Sequence, residues 1–212
     1  MNAYIAKVFA RAGHESDGEA ADAARLAYLK RYGATLFGMV KHHQVSEAEF
    51  LHEAHRFDDL HSMIRAERGL GRLFRRLPGR KVLLTNAPRR YAHDVVRHLG
   101  LHRYFAEHVP IESMRVHGQL HPKPSKRLLR KLLAKHRLPA SRCVMVEDTA
   151  RNLKAAKTLG LRTVWVTRYV RMATPRNDYL PQRTTNRPLY VDVKVKSVAG
   201  VAGRLPRLRR KG

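Results

Sequence analysis

Glu147 and Asp148 are the only carboxylates between Ser113 and Asn177, a span that carries 16 lysines and arginines. They are adjacent and end the apolar run Cys143-Val144-Met145-Val146. Two neighbouring carboxylates repel and need a compensating cation. A hard ion such as Mg²⁺, which takes carboxylate oxygens and keeps waters, meets that need. Nearby arginines, with Asp148 capping a following helix, are the plainer alternative. Lys123 lies in His121-Pro122-Lys123-Pro124. The flanking prolines hold it outside regular structure, where a compact ammonium can neutralise an anion. Thr85 and Asn86 follow the apolar run Val82-Leu83-Leu84. A hydroxyl and free backbone N–H groups there can hold a phosphate oxygen. Each motif alone also reads as an ordinary turn, loop lysine or solvated pair. Together, hydroxyl, ammonium and a carboxylate-bound cation can surround one phosphoryl group, whose transfer depends mainly on positioning and charge neutralisation.

These groups need elements to position them. After Pro78-Gly79, short apolar runs alternate with helical stripes. Strands are expected at Val82–Leu84, Val109–Ile111, Cys143–Val146, Thr163–Thr167 and Tyr190–Val195, the first, third and fourth buried. Helical spacing appears at Tyr91, Val95, Val96 and Leu99, at Leu128–Leu133, and at Leu153, Ala156 and Leu159. Such alternation implies right-handed crossovers and a parallel sheet, hence an α/β, Rossmann-like core over residues 79–200. Ligands then sit beyond the carboxyl ends of the strands, where Thr85 and Glu147-Asp148 lie. Residues 1–78 read as helices, with Ser46 and Glu49 at capping-box spacing and Ile64–Leu77 helical in style. Residues 201–212 form a basic tail.

The 212 residues carry 43 Lys+Arg against 17 Asp+Glu, a net charge of +26, which attracts polyanions such as nucleic acid. No apolar run approaches the roughly 18 residues of a membrane span, and no secretory leader is expected. A single cysteine, Cys143, excludes a disulfide framework and a multi-cysteine zinc module, and points to a reducing, cytoplasmic setting. Cys143 and Trp165 are expected in the core. His52, His55, Asp58 and His61 recur every three residues, which drifts about 60° per step around a helix, so a polar face is expected rather than a metal site.

The stretches KVLLTNAP, HPKPS and CVMVEDTARNLKAAKTLGLRTVWVT resemble the haloacid-dehalogenase-like hydrolases, in the branch close to pyrimidine 5′-nucleotidases. The resemblance covers about Tyr32 to Thr167. It implies Mg²⁺-dependent hydrolysis of a phosphomonoester, a nucleoside monophosphate by substrate class, through an aspartyl-phosphate. It makes Thr85 and Asn86 phosphate binders, Lys123 the bridge between phosphate and nucleophile, and Asp148 a Mg²⁺ ligand with Glu147 in support. Asn152 would shape the acidic loop, and residues 1–78 would be a helical cap inserted after the first core strand.

The same resemblance demands an Asp-x-Asp-x-Thr-like motif ending that first strand, and the sequence contains no Asp-x-Asp. Asp58-Asp59 is unspaced, and Asp192 has Lys194 where the second acid belongs. Either the natural chain starts upstream of Met1, or a shortened form binds phosphate or nucleic acid without hydrolysing it. The first is favoured, since losing a central strand leaves its neighbours with unpaired backbone groups.

Overall fold

The computed structural model describes residues 1–14, 16–168 and 187–206. The basic tail beyond residue 206 and one residue of the loop Gly13–Gly18 lie outside them. The chain divides into two compact units.

The first unit comprises Met1–Arg65 and Leu84–His102. Its helices are α1 (Asn2–Arg11), α2 (Gly18–Tyr32), α3 (Thr35–His42), α4 (Glu47–Glu53), α5 (Leu60–Met63) and α7 (Arg89–His98), α6 belonging to the second unit. Tyr4, Ile5, Val8 and Phe9 recur at helical spacing on α1 and are buried. Asp17 caps α2 by accepting the Ala20 N–H at 2.7 Å. Gly33, at φ 81°, ends that helix in the left-handed conformation and donates to the Leu29 carbonyl. Ser46 accepts the Glu49 N–H at 3.1 Å, half of the expected capping box. The Glu49 carboxylate is turned instead to the Tyr4 hydroxyl, 2.9 Å away. Burial and this acceptor push the Tyr4 phenol up to about 12.

The second unit comprises Ala66–Leu83 and residues from Arg103 onward. It contains α6 (Leu70–Arg76), β1 (Val82–Leu84, whose last residue counts with the first unit), β2 (Glu107–Val109), β3 (Arg115–Val116), β4 (Gln119–Leu120), α8 (Lys126–His136), β5 (Val144–Glu147), α9 (Ala150–Thr158), β6 (Arg162–Val166) and β7 (Val193–Val195). Strands β5, β6 and β7 form a parallel sheet in that order, with Val144 opposite Arg162 and Val164 opposite Val193. Side chains alternate across β6. Val164 and Val166 pack with Val193, Val195 and Val201 on one face, and Trp165 packs with Ala150, Leu153 and Val191 on the other. The architecture is an α/β, Rossmann-like core with N-terminal helices.

Several expectations need correction. Strand β2 runs over Glu107–Val109, and Ile111 begins a short 3-10 turn because Pro110 interrupts the ladder. The helical style over Ile64–Leu77 narrows to Leu70–Arg76, which starts after Gly69 at φ 79°. β3 and β4 form an antiparallel hairpin that hydrophobic patterning missed, since each strand has only two residues. β5 is not a buried strand. Among the described residues it pairs with β6 alone, leaving Val144 and Val146 at 40% and 42% exposure. Cys143, at its start, is only half-buried. β1 pairs with β2 in a separate sheet.

Asp192 is a structural anchor. It pairs with Lys157 at 2.5 Å and accepts the Thr163 N–H at 2.9 Å and the Thr163 hydroxyl at 3.2 Å. Burial opposes its charge, but Lys157 and Thr163 overcome this and hold its carboxyl below the usual range. Asp192→Ala strands these donors, and a loss of about 2 kcal/mol is expected in urea unfolding. Among the described residues no helix is long and apolar enough to cross a membrane.

Candidate functional site

Lys123 and Glu147 are 24 residues apart in sequence and meet in the second unit. Lys123 Nζ donates to Glu147 Oε2 at 2.7 Å, with the two side chains only 14% and 7% exposed. Lys123 sits between β4 and α8, where Pro122 and the cis-linked Pro124 flank it. Ser125 then caps α8 by accepting the Leu128 N–H at 3.2 Å. Glu147 is the last residue of β5, and its Oε1 accepts the Thr149 N–H at 3.3 Å. Burial works against the Glu147 charge. The Lys123 ammonium and hydrogen bonds from Asp148 and Thr149 outweigh it and hold the carboxyl below its ordinary value.

Asp148 follows in the turn before α9. Its side chain keeps an exposed side, and its Oδ1 accepts the Thr149 hydroxyl at 3.3 Å. Packing around the carboxyl, with Glu147 beside it, pushes its pKa up to about 6. Here the two neighbours part: Glu147 is compensated by Lys123, and Asp148 is the acid still short of positive charge. Trp165 Nε1 donates to the Asp148 carbonyl at 2.8 Å and so fixes the turn from the adjacent strand. Sequence reading gave Trp165 a packing role. It is buried as expected, but its N–H also orients the acidic turn, and only the β5–β6 register brings the two together. Asn152, also buried, donates its N–H to the Thr149 carbonyl.

Thr85 and Asn86 fall in the first unit, directly after β1 and ahead of α7. The Thr85 hydroxyl accepts the Ala87 N–H at 3.1 Å, closing a tight turn before Pro88. In the His52, His55 and His61 series, His52 pairs with Glu53, His55 with the Leu51 carbonyl, and His61 stacks on His98 at 4.4 Å.

Among the described residues no group of three or more His, Cys, Asp or Glu side chains gathers as a metal cage. Mg²⁺ needs no such cage, because one or two carboxylates with waters and substrate oxygens suffice. The charge-deficient Asp148 carboxyl, backed by Glu147, fits that ion.

Two outcomes follow from this geometry. The Asp148 pKa is about 6 in the fold against an ordinary 3.8, so its proton is favoured by folding. Its contribution therefore erodes stability as pH rises through this window and stays unfavourable above it. Asp148→Asn is expected to stabilise the protein at pH 7.5 by about 1 kcal/mol, discounted for contact with water, and to lose that gain at pH 4. Urea unfolding at the two pH values measures it. Trp165→Phe removes the hydrogen bond to Asp148 but keeps most of the ring, and a loss of about 1 kcal/mol is expected by thermal unfolding.

A family model described as haloacid dehalogenase-like hydrolase matches residues 1–160. No curated protein matches the sequence. Among solved structures, a HAD phosphatase from Thermococcus onnurineus superimposes with a TM-score of 0.62 at 15% identity, covering 96% of this chain and 87% of that one. The L-2-haloacid dehalogenase from Xanthobacter autotrophicus gives 0.57 at 15% identity, covering 100% and 94%. An uncharacterized protein from Listeria monocytogenes serotype 4b gives 0.51 at 16% identity, covering 68% and 81%. At such identities the likeness extends to the fold. The first two names denote different reactions, so the reaction must be argued from the site.

Proposed function

Because the chain belongs to the haloacid dehalogenase-like hydrolases, we propose that it is the body of a Mg²⁺-dependent phosphomonoester hydrolase. The substrate class is a nucleoside monophosphate, perceived through its phosphate. The observation that carries this reading is the buried Lys123–Glu147 pair beside the charge-deficient Asp148. An ammonium and a carboxylate seeking a cation suit a doubly charged phosphoryl group.

In this mechanism Lys123 neutralises phosphate oxygens while Glu147 holds its ammonium in place. Asp148, oriented through its carbonyl by Trp165, holds the ion, with Glu147 in support. Bound Mg²⁺ would supply neutralisation of phosphate charge. In the first unit, Thr85 and the Asn86 backbone are assigned to phosphate binding by the family resemblance alone, as residues 1–78 are to a substrate-selecting cap. The nucleophile is an aspartate on a strand N-terminal to Met1. Its carboxylate oxygen bonds to phosphorus as the bond to the ester oxygen breaks, the motif's second acid giving its proton to the leaving alcohol. Water, losing a proton to that group, then attacks phosphorus and breaks the aspartyl O–P bond, which releases phosphate and restores the carboxylate. Among the described residues β5 is paired on one side only and Val144 and Val146 are exposed, which supports a further strand. By itself the present chain would bind phosphate and turn over little or none.

The test starts with the intact mass of the native protein. A mass above 24.3 kDa, with an Asp-x-Asp segment in the extra peptide, is expected. That longer form should hydrolyse nucleoside monophosphates in Mg²⁺, and its Lys123→Ala variant should not. A native mass of 24.3 kDa, or a long form that releases no phosphate, rejects the reading. Trp165 is the only tryptophan, so its fluorescence reads Mg²⁺ at the acidic turn independently of turnover.

A further inference from the structure

Part of the charge surplus lies on a built surface that the proposed hydrolysis does not use. Helix α8 packs against β3 in the second unit. Lys131 Nζ donates to the Arg115 carbonyl at 2.5 Å, and Arg115 Nη1 donates to the Gly118 carbonyl at 3.0 Å, tying helix to hairpin. Gly118 (φ 76°) and His117 (φ 49°) are both left-handed, the backbone of a tight hairpin turn. Between helix and hairpin lies an open groove of about 790 Å³, lined by Val116, His117, Arg127, Arg130, Lys131 and Ala134. Three of these are permanent or near-permanent cations and none is an acid.

Arg127, Arg130, Lys131 and Ala134 stand at i, i+3, i+4 and i+7, so the cations form a row along one helix face. Arg127 and Arg130 are exposed and make no ion pair among the described residues. By contrast, Lys135 on the same helix is paired with Glu107 at 2.5 Å. A row of charges suits a linear polyanion better than a single phosphate. The groove wall is almost all carbon, from Val116, Ala134 and the stems of the basic side chains, a surface that sugar edges can cover. Among the described residues, none of the large exposed hydrophobic side chains lines the groove, which favours a polyanion over a lipid surface. We propose that the groove between α8 and the β3–β4 hairpin docks the sugar–phosphate backbone of a nucleic acid, without reading its sequence. It shares no residue with the Lys123–Glu147–Asp148 cluster and stands whether or not the chain hydrolyses phosphate.

Fluorescence anisotropy with labelled oligothymidylate, titrated at several salt concentrations, tests this. Saturable, salt-sensitive binding is expected. Arg127→Gln with Arg130→Gln removes two phosphate contacts, so binding at low salt should fall about tenfold and the slope of log K against log salt should shrink by about 1.4. Arg75→Gln with Arg76→Gln makes the same charge change on α6 and should leave both values near wild type. Unchanged melting temperatures for both doubles exclude misfolding. Equal losses in the two doubles would overturn the assignment in favour of diffuse charge. So would the absence of saturable binding. Competition by polyglutamate or anionic vesicles as effective as that by unlabelled oligonucleotide would assign the groove to an acidic protein or a membrane instead.

Discussion

Lys123→Met is expected to destabilise the second unit by about 3–5 kcal/mol, because it leaves a buried carboxylate without its cation. Glu147 is 7% exposed and its Oε2 lies 2.7 Å from Lys123 Nζ. The replacement fills most of the lysine's volume, so packing loss is minor and the charge dominates. The Glu147 carboxyl then moves up, toward taking up a proton, since only the Asp148 and Thr149 hydrogen bonds are left to oppose burial. The loss should accordingly be largest near neutral pH and shrink in acid, where the carboxylate is protonated in both folded and unfolded chains. Denaturant unfolding of the two proteins at pH 7 and pH 4 gives the comparison. An equal loss at both values would mean that Lys123 acts by packing. Lys123→Met with Glu147→Gln should recover much of the stability while leaving phosphate binding lost, which separates the structural from the functional role of the pair.

The second large effect lies in the first unit. A Cβ on Gly38 would stand 2.1 Å from Tyr28 Cγ and 2.5 Å from Tyr28 Cβ, far inside any real contact. These atoms are the root of the tyrosine side chain, so no end-of-chain rotation relieves the clash. Helices α2 and α3 must part or Tyr28 must leave its rotamer. Either course breaks the 2.6 Å hydrogen bond between the Tyr28 hydroxyl and His43 Nε2. Gly38→Ala is expected to cost about 3 kcal/mol, the upper end for overpacking, and Gly38→Val more. Glycine is otherwise a poor helix former, so in an open position Gly38→Ala would stabilise by about 1 kcal/mol. The sign of the change in thermal unfolding therefore decides whether the close approach exists.

How much of this was legible in the sequence depends on the range of the interaction. The Ser46 cap and the stripe on α1 are set within a few residues, where side chain and backbone compete locally for the same hydrogen bonds. The α/β alternation from β5 through β6 is likewise carried by runs of valine and by helical spacing. The acidic turn was found because Glu147 and Asp148 stand alone in a basic stretch.

The sequence by itself determined the helical start, the α/β alternation that follows it, the surplus of cations and the candidate phosphate-handling residues. Only the tertiary structure decided that Glu147, and not Asp148, is the carboxylate ion-paired with Lys123, since that contact spans 24 residues. It also decided that Trp165 holds the Asp148 carbonyl, that β5 pairs with β6 alone among the described residues, and that Arg127 and Arg130 face a hairpin across a groove. Each depends on strand register or helix docking. Many residues settle these collectively through hydrophobic burial, and no local stretch of residue types encodes them.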